Sequence, residues 1–187
     1  MNSIKVMNYV IITIVGLFIS LHAYNIGYLQ QSPVQGGYLP FEAIPETVLH
    51  KIDWLEKIPM RYRKQVEHYC RETKVPVKLV YRIVKSESNW KNNAYNKNTC
   101  GSVDRGLFQL NSKYVEWFGK KFAGHRINAY NSDHSIKTGI RYIAWLLKQF
   151  DGNVEKAVAS YNWGIGNVNS GRAYPNCVKN YVKKVCK

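Results

Sequence analysis

Residues 86–112 read SESNWKNNAYNKNTCGSVDRGLFQLNS, and this stretch decides the fold. Just upstream, Val80 and Ile83 precede Glu87 by seven and four residues, which is the spacing of one helix face. Within the stretch, residues 91–106 are rich in Asn, Gly, Ser and Thr, a composition typical of loops and small hairpins. The sequence therefore predicts a helix that ends near Glu87 and leads into a short hairpin.

Helical patterns flank this stretch on both sides. From Ser135 to Phe150, apolar residues recur at alternating intervals of four and three, which indicates a buried helix face. Pro76 is placed as the first residue of the helix that reaches Glu87. The other predicted helices are Arg61–Lys74, a brief one over Leu110–Phe118, Val154–Asn162 and Asn176–Val185. We expect a mainly α, helical bundle-like domain with a small β-hairpin region.

The N-terminal part of the chain differs in composition from the rest. Lys5 precedes an apolar run of 13 residues, Tyr9 to Leu21, and Ala23 stands where a signal peptide would be cut. A membrane span needs about 20 apolar residues, so the run fits a signal peptide better. The alternative is a retained anchor, stretched from Val6 to Tyr24, that attaches the protein to the inner membrane. Both interpretations predict an exported protein.

Three segments follow from these patterns. Residues 1–23 are predicted to be a signal peptide or membrane anchor, and residues 24–59 a linker with a short helix at about 45–57. Residues 60–187 are predicted to form one catalytic domain, because a chain of 187 residues suffices for one core and one extension.

The net charge of the chain limits the classes of binding partner but does not identify one. The net charge of +15 attracts polyanions such as nucleic acid, anionic lipid or an acidic wall polymer. The basic residues spread along the chain, however, and no zinc-finger or ribonucleoprotein motif is present in the sequence. We therefore expect no nucleic-acid partner, and a basic protein that acts on nucleic acid or membranes is kept as an alternative.

Four cysteines are consistent with export, because an even number in an oxidising compartment suggests disulfides. If Cys177 and Cys186 lie on one helix, roughly 13 Å separates them, which is too far for a bond between them. The hypothesis is that Cys70 pairs with Cys186 and Cys100 with Cys177. The sequence has no Cys-x-x-Cys, so we predict no metal site, and we expect no cofactor.

Glu87 is the candidate catalytic residue. It shares a helix face with apolar side chains, where burial disfavours the charged carboxylate and raises its pKa. A carboxyl group with a pKa near neutrality can both give and take a proton. The alternative is a glutamate at a helix end that faces solvent or pairs with Lys91 or Arg105.

Residues 86–112 resemble the active-site stretch of the lysozyme-like superfamily, in which Glu-Ser ends a helix, a hairpin follows and Gly-Leu-Phe-Gln-Leu-Asn closes the cleft. Downstream, Ala159–Gly164 is similar to the Ala-Tyr-Asn-x-Gly box of bacterial soluble lytic transglycosylases, the SLT-domain family, with Ser160 as an extra residue. Asn180–Val185 is similar to the Tyr-Val-x-Lys-Val tail of those enzymes. The three parts occur in the family's order over about residues 60–186, and the chain looks closest to the small transglycosylases that accompany secretion and conjugation machines.

This resemblance implies an α+β lysozyme-like fold and an enzyme that degrades peptidoglycan in the periplasm or cell envelope. Glu87 would act as the single general acid and base. It would cleave the β-1,4 bond between N-acetylmuramic acid (MurNAc) and N-acetylglucosamine (GlcNAc), and form 1,6-anhydro-MurNAc. The implied partners are glycan strands and a secretion or conjugation machine. The implied substrate-binding residues are Ser88, Gln109, Asn111, Tyr161 and Asn162.

The implied roles differ from residue to residue. Gln109 and Asn111 would bind sugar hydroxyl or acetamido groups, Ser88 would position the loop, and Tyr161 would reach Glu87 or an acetamido carbonyl. The structural alternatives are a helix-end cap for Ser88, an N-cap for Asn111, a backbone hydrogen bond for Asn162 and a core position for Tyr161.

Asp104 supports a hydrolytic alternative. It follows Glu87 by 17 residues in a Gly-Ser-x-Asp-x-Gly frame similar to that of animal-type lysozymes. In a muramidase of that type Glu87 would be the acid and Asp104 the nucleophile or ion stabiliser. In a transglycosylase Asp104 would be structural. A further alternative is a catalytically silent glycan-binding module.

Two aromatic features complete the predictions. Phe108 stands where transglycosylases commonly have methionine, so the cleft wall stays apolar while its shape changes. Trp90, Trp117 and Trp163 are candidates for sugar platforms, and the alternative for each is a core position.

Overall fold

A computed structural model describes residues 53–187. Its regular elements, in chain order, are α1 (Met60–Thr73), α2 (Val77–Glu87), β1 (Tyr95–Lys97), β2 (Val103–Arg105), β3 (Leu110–Asn111), α3 (Val115–Phe118), α4 (Ser132–Gln149), α5 (Val154–Trp163), α6 (Ile165–Asn169) and α7 (Asn176–Cys186). The three strands form one antiparallel sheet in the order β1-β2-β3. The predicted mainly α class with a small hairpin region is confirmed.

Part of the predicted organisation lies outside the described residues. This applies to the signal peptide or anchor at 1–23 and to most of the linker at 24–59, of which only residues 53–56 are seen to be helical. Within 53–187, no helix is both long enough and apolar enough to cross a membrane.

Helix α4 lies at the centre of the core and packs against α1 and α5. Its predicted apolar face is confirmed, since Ile136, Ile140 and Ile143 are all buried. The helix begins three residues earlier than predicted, because the Asn131 side chain accepts hydrogen bonds from the backbone N–H groups of residues 133 and 134. That cap extends the helix beyond the apolar pattern from which it was predicted.

Gly139 joins α4 to the loop that precedes β3. A Cβ atom at this position would lie only 2.1 Å from Cδ1 of Phe108, whose ring is fully buried against the helix. Only glycine therefore allows this ring to approach the helix so closely. The contact holds the Gly-Leu-Phe-Gln-Leu segment against α4.

A second glycine fixes the hairpin. Gly106 has φ +76°, donates its N–H to the carbonyl oxygen of Ala94 over 2.9 Å, and lies so close to Ala129 that a Cβ would be 1.8 Å from that carbonyl oxygen. The hairpin is thereby held against the loop before α4.

The segment after β3 differs from the sequence prediction. Leu110–Phe118 was predicted to be one brief helix, but Leu110 is buried and pairs with Arg105 in the sheet. Helical structure starts only after Asn111, with a 3₁₀ turn at Ser112–Tyr114, and continues beyond α3 as a π-helix at Gly119–Ala123. Pairing within the hairpin therefore overrides the helical pattern of this segment. Helix α6 was also not predicted, and Pro76 is the N-cap of α2, one residue before the predicted position.

The cysteines do not form the predicted disulfides. Cys70 is buried, Cys186 is partly buried, and Cys100 and Cys177 are exposed. In the part of the chain that the structure describes, none of Cys100, Cys177 and Cys186 forms a disulfide, so neither predicted bridge is present.

Candidate active site

Glu87 is the last residue of α2, and the apolar face on which it was predicted is confirmed. Val80, Ile83 and Val84 are buried with at most 1% exposure. The side chain of Glu87 therefore projects from the same face of the helix that packs into the core. It is only partly exposed. The hydroxyl of Tyr181, on α7, donates a short hydrogen bond to its Oε1 atom. The last helix of the chain thus completes the surroundings of the carboxyl group.

Burial dominates the electrostatics of this group. It raises the pKa of Glu87 from an ordinary value of 4.5 to about 7, because the desolvated carboxylate is less stable than the neutral acid. The hydrogen bond from Tyr181 and the charge of Lys184 lower this pKa, and the negative charge of Asp104 raises it. At neutral pH the side chain is therefore present in both protonation states.

Asp104 lies on β2 in a polar network. Its Oδ2 accepts a hydrogen bond from Nδ2 of Asn98 over 2.9 Å, and its Oδ1 accepts one from Nδ2 of Asn111 over 2.7 Å. Both amide groups also contact the hydroxyl of the buried Ser102. The Asp104 carboxyl group is therefore held in one orientation by two amide donors on the hairpin.

Of the two contacts predicted for Tyr161, with Glu87 or with an acetamido carbonyl of the sugar, the hydrogen bond to Glu87 is not present in the structure. Its hydroxyl donates instead to the backbone oxygen of Phe108 over 2.7 Å, which links α5 to the segment before β3. Burial and then the negative charge of Glu87 raise the pKa of Tyr161 well above its usual range. The phenol thus stays neutral next to the carboxyl group.

Tyr181 is the site residue that sequence reasoning missed. Burial, followed by the charge of Glu87, raises its pKa well above the usual range, so it remains a hydrogen-bond donor. A signal for it was present, since the Tyr of the Tyr-Val-x-Lys-Val tail is Tyr181 itself. The tail was treated as a family marker, and its 94-residue separation from Glu87 gave no indication of contact.

Gln109 is held firmly by the backbone of the hairpin. Its Nε2 donates to the carbonyl oxygens of Ala94 and Gly106 over 3.2 and 3.0 Å, and its backbone has φ +46°, a left-handed conformation that is uncommon outside glycine. The side-chain nitrogen is therefore occupied by the hairpin backbone, and the amide oxygen makes no hydrogen bond within the described residues.

The structure places the remaining predicted residues in supporting positions. Asn111 is the N-cap of the following 3₁₀ turn, where its Oδ1 accepts from the Lys113 N–H over 3.0 Å. Ser88 is buried, and its hydroxyl donates to the carbonyl oxygen of Val84 at the end of α2. These positions match the capping alternatives. Asn162 is exposed at the end of α5.

The three candidate tryptophans differ in how far they are exposed to solvent. Trp90 is buried and stacks on Tyr62, so it belongs to the core, and Trp163 is partly buried against Tyr174. Trp117 is 39% exposed, and its ring centroid lies 6.1 Å from that of Tyr142. Because Tyr142 is in turn 5.5 Å from Tyr161, an aromatic wall leads from the candidate site to the surface.

No group of three or more His, Cys, Asp or Glu side chains in residues 53–187 is arranged to hold a metal ion. What the arrangement can do chemically is transfer protons, through a half-protonated carboxyl group that neighbouring phenols and a second carboxylate surround.

Comparison with known families gives one match. The model of the transglycosylase SLT domain matches residues 65–182. Among solved structures, an inactive mutant of the lytic transglycosylase Slt from Pseudomonas aeruginosa is similar over 68% of this chain, with a TM-score of 0.57 and 21% identity. The 70 kDa soluble lytic transglycosylase from Escherichia coli is similar over 74% of this chain, with a TM-score of 0.58 and 23% identity.

The same 70-kDa enzyme in complex with bulgecin A gives a TM-score of 0.58 and 22% identity over 74% of this chain. This chain covers 23% of the length of the Pseudomonas structure and 25% of each of the other two. The similarity therefore concerns one domain of much longer proteins.

Proposed function

Because this chain belongs to the transglycosylase SLT-domain family, we propose that it is a lytic transglycosylase that cleaves the glycan strands of peptidoglycan, with Glu87 as its catalytic acid and base. The observation that carries the proposal is the burial of the Glu87 carboxyl group, which raises its pKa to about 7. Comparable fractions of the side chain are then acid and base at neutral pH, as a reaction that needs both requires.

In the proposed reaction, neutral Glu87 protonates the oxygen that joins MurNAc to GlcNAc, and the bond from C1 of MurNAc to that oxygen breaks. The Glu87 carboxylate then removes the proton from the 6-hydroxyl group of MurNAc. At the same time the oxygen of that hydroxyl group bonds to C1. The product is a 1,6-anhydro ring. Glu87 ends protonated as it began, and no water is consumed.

The neighbours of Glu87 have distinct roles in this proposal. Tyr181 holds the carboxyl group and stabilises its ionised form between the two proton transfers. Asp104 is structural in this reaction, held on the hairpin by its hydrogen bonds from Asn98 and Asn111. The amide oxygen of Gln109 accepts a hydrogen bond from the sugar. The exposed side chain of Asn162 also contacts the sugar.

The capping residues act indirectly in the same scheme. Ser88 holds the end of α2, and Asn111 orients Asp104 through the 2.7 Å hydrogen bond to its carboxylate. Tyr161 supports the wall of the cleft through Phe108 and presents a neutral phenol to the substrate.

Hydrolysis is the second candidate, and the network around Asp104 favours it. A retaining muramidase needs a second carboxylate held near the acid, and the two asparagines fix Asp104 in one orientation, with Asp104 as nucleophile and water as the final acceptor. The two reactions leave different ends, since transglycosylation gives an anhydro sugar and hydrolysis a reducing sugar.

Mass spectrometry of the muropeptides released from purified sacculi tests the proposal. Anhydro ends are expected from the wild-type protein and from the Asp104→Asn variant, and no release from Glu87→Gln. Asp151→Asn, a loop substitution in an exposed residue between α4 and α5, is the matched control and should behave like the wild type.

Reducing ends, lost in Asp104→Asn, would overturn transglycosylation in favour of hydrolysis. Binding of sacculi without release by the wild-type protein would instead identify the silent glycan-binding module.

We further propose that residues 60–187 form the catalytic domain and that it acts in the cell envelope, where its substrate lies. Attachment to the inner membrane through the N-terminal segment and service to a secretion or conjugation machine remain predictions. Fractionation of cells that produce the full chain tests the location, and recovery in the cytoplasm would contradict it.

A further inference from the structure

A cavity of about 430 Å³ lies beside the hairpin, and the catalytic scheme does not use it. Its polar wall consists of Arg105, Arg126, Asn128, Tyr130 and His134, over an apolar floor that includes Ile127. Arg105 ends β2, and the other residues come from the loop before α4 and from its first turn. The cavity therefore lies where the sheet meets that loop.

The cavity carries uncompensated positive charge. No acidic residue lines it, and in residues 53–187 neither Arg105 nor Arg126 uses its guanidinium in an ion pair or hydrogen bond. Asp104 lies on the opposite face of the sheet, because neighbouring strand residues alternate, and its oxygens are taken by two asparagines. Asp133, near His134, accepts a hydrogen bond from Gln65.

The wall is held in place without a ligand. The Asn128 N–H donates to Nδ1 of His134 over 3.1 Å, so the ring proton lies on Nε2, which is a donor. The Tyr130 N–H donates to Oδ1 of Asn128 over 3.0 Å, and the close contact between Gly106 and Ala129 fixes the same loop to the hairpin. Preorganised donors bind an anion with little loss of conformational entropy.

We infer that this cavity binds a carboxylate group of the peptide stem that MurNAc carries in peptidoglycan, an inference that rests on the proposed function. Guanidinium groups match carboxylates with paired hydrogen bonds, and the apolar floor suits the aliphatic part of an amino acid. Arg105 is adjacent in sequence to Asp104, whose charge acts on Glu87. An extended stem of four residues spans about 13 Å, so a stem on a sugar near Glu87 reaches around the sheet edge.

Kinetics on two substrates test the inference. One is peptidoglycan strands with their stems, and the other is the same strands after an amidase has removed the stems. Arg126→Gln is the informative variant, because Arg126 is exposed and its side chain makes no contact that holds the fold within the described residues. We expect KM for stem-bearing strands to rise about tenfold, from the loss of charge-assisted hydrogen bonds, with no change on stem-free strands.

Lys148→Gln is the control, since it removes the same charge at the other end of α4, about 21 Å from His134. It should leave both KM values unchanged. Two outcomes would overturn the inference in favour of general attraction by positive charge. One is that Arg126→Gln raises KM equally for both substrates, and the other is that Lys148→Gln raises KM as much as Arg126→Gln does. No change in Arg126→Gln on either substrate would also overturn it.

A binding measurement separates this inference from the proposed function. The free stem tetrapeptide, titrated by calorimetry, should bind the wild-type protein and not Arg126→Gln, whether or not the protein cleaves glycan. Binding of inorganic phosphate but not of the tetrapeptide would overturn the stem as ligand. Failure to cleave either strand, with stem binding intact, would overturn only the proposed function.

Discussion

Replacing Glu87 with glutamine should remove a pH-dependent loss of stability that its burial causes. The pKa of this carboxyl group is raised from 4.5 to about 7 in the folded protein. At about 1.4 kcal/mol per pH unit, the ionised group costs about 3 kcal/mol of folding free energy once the pH exceeds both values. Glutamine has a similar size and keeps an oxygen that accepts the Tyr181 hydrogen bond, but it carries no charge.

The direction of the effect follows from the raised pKa. A carboxyl group that is harder to ionise in the folded state contributes stability that is fully present below pH 4.5 and is lost as the pH rises through about 7. Between pH 5 and pH 8, the free energy of unfolding of the wild-type protein should therefore fall by about 2.5 kcal/mol more than that of Glu87→Gln.

Urea unfolding at pH 5, 6, 7 and 8, followed by tryptophan fluorescence, measures this difference. Glu116→Gln, a substitution of an exposed glutamate in α3, is the control and should run parallel to the wild type. If the wild type and Glu87→Gln differ by the same amount at pH 5 and pH 8, the carboxyl group is not desolvated. The physical basis for its role as acid and base would then be refuted.

Three further substitutions have definite expected outcomes. Tyr181→Phe removes a hydrogen bond that lowers the pKa of Glu87, so the fall of kcat/KM on sacculi, expected near pH 7, should move to higher pH. Gly139→Ala places a Cβ 2.1 Å from the Phe108 ring, and thermal unfolding should show a loss of at least about 1–3 kcal/mol from overpacking. Asn153→Ala removes the N-cap of α5, where Oδ1 accepts from a backbone N–H over 3.0 Å, and should cost about 1 kcal/mol in the same measurement.

Matched controls accompany these changes. Tyr161→Phe removes a hydroxyl group that donates to a backbone carbonyl oxygen, and it should leave the pH at which kcat/KM falls nearly unchanged. A shift of that pH as large as the one in Tyr181→Phe would contradict the role given to Tyr181. Gly166→Ala meets no atom within 4 Å and lies in helix α6, so it should not lower stability and is expected to raise it by up to about 1 kcal/mol. Asn153→Asp should retain most of the cap, and a loss equal to that of Asn153→Ala would argue against capping.

The sequence by itself determined the longer helices and the identity of the candidate acid. Apolar spacing predicted α1 within one residue at each end and placed Glu87 correctly on the buried face of α2. These features follow from the sequence because residues three and four apart on a helix are neighbours whatever the rest of the chain does. The hairpin followed in the same way from its local composition.

The tertiary structure alone decided what surrounds the acid. Tyr181 is 94 residues from Glu87, and packing of α7 brings it there in place of the predicted Tyr161. A contact between distant segments depends on how complete faces fit together, and no local spacing encodes that fit. The sequence thus identifies the candidate acid, while the packing of distant helices decides which side chains surround it and how far its carboxyl group is buried.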